Sequence, residues 1–419
     1  MNIRIRLIIM NFLQFFIWGS WLLTIGAFWF QTKHWSGIDF GRVFSTMGIV
    51  SLFMPAIAGI LADRFINAEK LYAFFHFMGG VFLFILPQIN NPNTFFWVML
   101  ANMSFYMPTI ALSITVAYTV LKKYGYHVID TYPPIRVFGT IGFIVALWTV
   151  SLLKLETSPV QFYIASGASF FLAAYALTLP ACPPPNRGKK TNLVDAMGLR
   201  AFTLFKQYKM AVFFIFAMLL GAALQLTNAY GDTFIHDFAK IDQYKDEIAV
   251  QYPAILMSIS QISETLFILT IPFFLKKFGI KKVMLMSMIA WVFRFGLFAY
   301  GDPALNGGLW MLVLSCIIYG MAFDFFNISG SLFVETQVQP EIRASSQGLF
   351  MLMTNGLGAF LGSTISGWMI DKFYKLPDGS FDWHHIWLSF ATYALVIAVL
   401  FVILFKHKHN PNEIAVIKH

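Results

Sequence analysis

Apolar runs long enough to cross a bilayer recur along the whole chain. They lie at about 7–31, 40–62, 70–88, 94–120, 135–153, 159–181, 208–235, 248–275, 281–300, 308–334, 344–370 and 384–405. A hydrocarbon core needs about 20 helical residues to span it, and the longer runs leave room for tilt. The alternating segments of roughly 10 residues that build a membrane barrel are absent. The pattern predicts an all-α integral membrane protein with twelve transmembrane helices. Arg4 and Arg6 precede the first run, which continues from Leu7 to about Phe30 with no small-residue cleavage site. It reads as a retained helix, not a signal peptide.

One polar, Pro-rich and basic stretch, Pro180–Lys209, separates six runs from six. The predicted organisation is an N-terminal six-helix half (1–182), a cytoplasmic linker (183–207), a C-terminal six-helix half (208–406) and a cytoplasmic tail (407–419). Two six-helix halves joined in this way form the major facilitator plan. A weak repeat agrees. Gly59-Ile-Leu-Ala-Asp-Arg-Phe65 follows the second run, and Phe274-Leu-Lys-Lys-Phe-Gly-Ile-Lys-Lys282 follows the eighth. The first is similar to the Gly-x-x-x-Asp-Arg loop motif of the major facilitator superfamily in degenerate form, and assigns Asp63 to capping or gating. The competing reading is a basic cytoplasmic loop.

Composition reinforces the membrane reading: 58% of the 419 residues are hydrophobic and 12% charged, against about 25% charged in soluble domains. The net charge of +9 does not call for nucleic acid. With the N-terminus inside, 20 Lys and Arg fall in cytoplasmic regions and 7 outside, which predicts both termini in the cytoplasm. Cys182 and Cys316 offer neither a disulfide framework nor metal-ligand spacing. His34, His236, His384 and His385 lack it too. Walker, His-Glu-x-x-His and Gly-x-Ser-x-Gly patterns are absent. No enzyme activity, cofactor or metal is expected.

Candidate chemistry lies inside the runs. Asp324 is the one charge in Trp310–Val334, and Glu264 the one charge in Ile248–Leu275. A carboxylate at bilayer depth costs roughly 2.5–3.5 kcal/mol on insertion scales and marks a functional group by default. Gln261 lies one turn before Glu264, Gln225 and Asn228 share a face, and Asn327 shares one with Phe323 and Asp324. Arg136, Thr140 and Phe143 form a stripe in the fifth run. Polar residues in phase on several helices predict one cavity; hydrogen bonding between helices is the alternative for the amides. Amides and carboxylates suit hydroxyls, and Phe143 and Phe323 suit a flat ring. The set fits a neutral, hydroxylated, ring-bearing solute, with Glu264, Asp324 and Arg136 available for proton coupling. Arg136 near the start of its run also admits a snorkelling reading. Gln14, Trp18 and Trp21 face either the cavity or the core, and Arg294 has no assignment.

Four stretches closely resemble the bacterial nucleoside:proton symporter family, which contains the broad nucleoside permeases and the xanthosine permease. They are Phe12-Leu-Gln-Phe-Phe-Ile-Trp-Gly-Ser-Trp21, Pro133-Pro-Ile-Arg-Val-Phe-Gly-Thr-Ile-Gly-Phe143, Met257-Ser-Ile-Ser-Gln-Ile-Ser-Glu-Thr-Leu-Phe267 and Gly320-Met-Ala-Phe-Asp-Phe-Phe-Asn-Ile-Ser-Gly330. The resemblance covers essentially the whole chain, least in the linker and tail. It implies a major facilitator fold in a bacterial inner membrane, importing nucleosides with protons as the coupling ion, and a functional monomer. The family's substrate and coupling positions fall on Arg136, Thr140, Phe143, Gln225, Asn228, Gln261, Glu264, Tyr319, Phe323 and Asp324, with Tyr319 assigned by the resemblance alone. Asp232 stands where broad-specificity relatives are expected to carry Asn. A carrier for another polyhydroxylated solute, such as a sugar, is the alternative; a non-transporting sensor is a third reading, from another class.

Overall fold

The computed structural model describes residues 2–185, 199–305 and 307–407. These are helices and loops, with one isolated antiparallel bridge between Lys375 and Phe381. Residues 186–198 of the predicted linker and the tail beyond residue 407 lie outside the described residues. The chain divides into two compact units, Met1–Met197 and Gly198–His419.

The first unit contains α1 (Ile3–Gly19), α2 (Gly37–Arg64), α3 (Ala68–Gln88), α4 (Pro92–Lys123), α5 (Thr131–Leu152) and α6 (Val160–Ala176). The second contains α7 (Tyr208–Lys240), α8 (Pro253–Phe278), α9 (Ile280–Tyr300), α10 (Leu309–Gln337), α11 (Ser345–Tyr374) and α12 (Trp383–Leu404). Ten helices among the described residues are long and apolar enough to cross a membrane. α1 and α6, at 17 residues each, are shorter than the runs that predict them.

Local chemistry explains the shortening. At the end of α1 the Ser20 hydroxyl donates back to the Phe16 carbonyl at 2.8 Å, which competes with helix continuation. The chain resumes as Ile25–Ala27 and a π-helical turn, Phe28–Thr32. α6 stops before Pro180, which has no N–H for the helix carbonyls; Thr178 and Leu179 close a tighter last turn onto Tyr175 and Ala176. Pro253 acts likewise in the eighth run. Tyr252 before it leaves the helical region at φ −139°, ψ 61°, so α8 begins at Pro253 behind a separate turn, Ile248–Gln251.

In the first unit α1 packs along α5. The contact is backbone on backbone: a Cβ on Gly142 would lie 2.2 Å from the Phe12 carbonyl oxygen. In the second unit α10 packs against α8 and α9, and α9 against α12. These pairings place the polar faces described below.

Candidate functional site

α5 carries the first set of predicted residues. Arg136 and Thr140 are half-buried and Phe143 is buried. The Arg136 guanidinium does not run out along the helix; it lies 4.0 Å from the centroid of the Phe15 ring on α1. Gly139 leaves room for this stack, since a Cβ there would meet Arg136 Nη1 at 2.6 Å and the Phe15 ring at 2.7 Å. Trp18, one turn beyond Phe15, packs on Tyr106, and its indole nitrogen is buried without a partner among the described residues.

Gln14 and Trp21 belong to the core of this unit. Gln14 is fully buried and donates to Thr109 Oγ1 at 2.8 Å, while its Oε1 accepts from the Tyr72 hydroxyl at 2.7 Å and meets His76 Nε2 at 2.8 Å. An amide oxygen only accepts, so the His76 Nε2 carries the proton. Trp21 stacks on Phe162. His76 was not singled out by the sequence pattern; Tyr72 and His76, one turn apart inside an apolar run, were the available signal. Asp63 is exposed at the end of α2 and makes no hydrogen bond or ion pair among the described residues.

The second set lies on three helices of the second unit. α10 meets α8 at Gly320, where a Cβ would fall 2.6–2.7 Å from the Ser263–Glu264 backbone. The Ser263 hydroxyl donates to the Ile317 carbonyl across the same contact. Asp324, one turn beyond Gly320, is brought within electrostatic reach of Glu264. Asp324 is 3% exposed, and its Oδ2 is buried without a partner among the described residues. Gln225 on α7 and Gln261 on α8 each keep a buried amide oxygen with no hydrogen-bond partner among the described residues. Asn228 and Glu264 are half-buried.

Aromatic rings complete this face. Tyr319 stacks on Phe323 at 6.1 Å and 14°, and meets Trp291 edge-on at 5.9 Å. Behind Tyr319 lies Arg294, fully buried. Its Nη1 donates to the Ser315 carbonyl at 2.7 Å, and its guanidinium sits 4.8 Å from the rings of both Phe298 and Tyr319. Arg294 thus backs the ring wall, a role that its position in the ninth run did not disclose. Asp232 is buried in α7 with His236 one turn on, at 3.7 Å. His384 bonds the Ala299 carbonyl and His385 bonds Asp382.

The second unit thus combines acceptors without donors among the described residues, two neighbouring acids and a flat aromatic wall. Such a surface receives hydroxyls and a planar ring, and a buried acid with an unbonded oxygen receives a proton.

Comparison with known proteins gives this chemistry a family. The sequence model described as Nucleoside H+ symporter matches residues 1–410. The chain is 54% identical over 414 residues to the xanthosine permease of Escherichia coli (strain K12), covering 99% of this chain and 98% of the relative. It is 49% identical over 409 residues to the nucleoside permease NupG of the same strain, covering 98% and 97%. The crystal structure of nucleoside transporter NupG matches with a TM-score of 0.91 at 49% identity, over 97% of this chain and 100% of that one. That match carries the major facilitator type of fold. With agreement along nearly its full length, the chain belongs to the nucleoside H+ symporter family.

Proposed function

We propose that the chain imports nucleosides together with protons across the bacterial inner membrane, by alternating access. The observation that carries this reading is the Asp324 carboxylate, buried beside Glu264 and the Tyr319–Phe323 wall with one oxygen that has no hydrogen-bond partner among the described residues. The cost of such a group falls when it takes a proton or a hydroxyl donor. Gln225, Asn228, Gln261, Tyr319 and Phe323 are the solute-binding residues of the second unit, and Arg136, Thr140 and Phe143 are those of the first. Glu264, Asp324 and Arg136 share the coupling, and Asp63 serves a gate. Relatives named as xanthosine and nucleoside permeases favour a nucleoside over a sugar.

In this reading the membrane is crossed twelve times. α1 with its continuation to Thr32, and α6, complete the ten longer helices. Both termini are cytoplasmic, the working unit is a monomer, and protons are the coupling ion with no cofactor and no catalytic step. Uptake of labelled uridine, adenosine and xanthosine into vesicles, with and without an imposed pH gradient, tests it. Gradient-dependent accumulation of at least one nucleoside is expected, and accumulation of none overturns the reading.

A further inference from the structure

A small, mostly apolar cleft opens beside Phe323 inside the second unit, and its lining includes Trp291, Phe323, Asn327, Thr354 and Asn355. The chain builds it with an unusual turn. Within α11, Leu352–Gly358 winds as a π-helix, a form that gathers at functional sites because its wider turn re-aims side chains. Gly221 on α7 admits that turn, since a Cβ there would lie 2.1 Å from the Thr354 carbonyl oxygen. The Thr354 hydroxyl is already used, donating to the Phe350 carbonyl at 3.0 Å. The two carboxamides are not. Asn327 makes no side-chain hydrogen bond among the described residues, and Asn355 has a single 3.9 Å contact to the Met351 sulfur, a weak acceptor. The cleft measures about 30 Å³, room for at least one water-sized polar group. A small polar substituent on a ring fits such a space.

We propose that this cleft recognises one exocyclic amino or carbonyl group on the nucleobase, with Asn327 and Asn355 as its hydrogen-bonding residues. A carboxamide presents a donor and an acceptor side by side, the arrangement that reads base edges bidentately. Phe323 borders both the cleft and the Tyr319 stack, so a ring stacked on Phe323 directs its edge toward the two amides. The cleft sets selectivity among nucleosides, not the ability to transport them. The proposal rests on nucleoside import as read above.

The test compares nucleosides that differ by one exocyclic group: purine riboside with adenosine, and inosine with xanthosine. KM is measured in vesicles for the natural chain and for Asn355→Ala and Asn327→Ala. At least one pair shows a preference for the substituted member, and each variant reduces that preference about tenfold through the KM of the substituted member, the size of one lost hydrogen bond. An unchanged ratio in both variants, or an equal loss for both members of each pair, overturns the cleft assignment while leaving nucleoside import standing. Accumulation of no nucleoside by the natural chain overturns both. Should either alanine variant fail to insert, Asn355→Ser and Asn327→Ser, which keep a smaller polar group, supply the same ratio.

Discussion

A carboxylate that is 3% exposed, next to a second acid and with one oxygen lacking a partner among the described residues, raises the free energy of the folded chain. Asp324→Asn keeps the shape and removes the charge. The variant is expected to unfold at a higher temperature in detergent and to lose proton-driven accumulation, the usual opposition between a stable fold and a strained site. A lower midpoint would mean that the carboxylate is already paid for by contacts in the fold. Arg294 is a buried cation whose Nη1 is bonded and whose plane lies against two rings, while its Nη2 has no hydrogen-bond partner among the described residues. Replacement by Lys retains the charge but gives up the planar faces on Phe298 and Tyr319, and an ammonium is more strongly hydrated than a guanidinium. Replacement by Met removes the charge at similar length. Of natural chain, Arg294→Met and Arg294→Lys, the lysine variant is therefore expected to be least stable by thermal unfolding; Lys equal to Arg would show that charge alone matters there. Residue identity revealed the acids because charges are rare in these runs. Which side of a helix belongs to the core was not legible in the same way. Gln14 and Trp18 share a face four residues apart, yet one closes a buried network with Tyr72, His76 and Thr109 while the other keeps an indole nitrogen with no partner among the described residues.

Helix existence was legible because burial in lipid demands long apolar runs with all backbone groups bonded internally. Helix ends were not, because single residues set them: Ser20 by back-bonding, Pro180 and Pro253 by missing N–H groups. The π-helical segments of α11 leave no mark in hydrophobicity at all. Helix contacts, by contrast, depend on small residues whose role is visible only with the partner in place. Gly142 and Gly167 look alike in the sequence, but a Cβ on the first would strike the Phe12 carbonyl at 2.2 Å and a Cβ on the second would meet nothing within 4 Å. Gly142→Ala must push α1 away from α5 and is expected to cost about 1–3 kcal/mol, as overpacking does. Gly167→Ala, in the interior of α6, is expected to gain up to about 1 kcal/mol from helix propensity. Thermal or denaturant unfolding of the two variants gives the comparison, and a Gly142→Ala variant as stable as the natural chain would refute the backbone contact.

At the scale of the whole chain, the division into two compact units at residues 197–198 has one sequence correlate, the polar and basic stretch between the sixth and seventh runs. Which side of the membrane that stretch occupies rests on the excess of Lys and Arg in alternate loops, and it has a direct test. Both native cysteines are buried. Burial, and then the neighbouring Glu69 charge, push the Cys182 thiol up to about 12, and it is the thiolate that reacts with alkylating reagents. The natural chain is thus expected to label poorly near neutral pH, so a single added cysteine reports its own surroundings. Lys122 and Lys375 are both exposed, one at the end of α4 and one just after α11. With both termini cytoplasmic, Lys375→Cys reacts with a membrane-impermeant maleimide in intact spheroplasts, and Lys122→Cys reacts only after the membrane is opened. Labelling in the reverse order would invert the topology. It would also place the basic stretch and both termini outside, against the charge distribution from which the orientation is read.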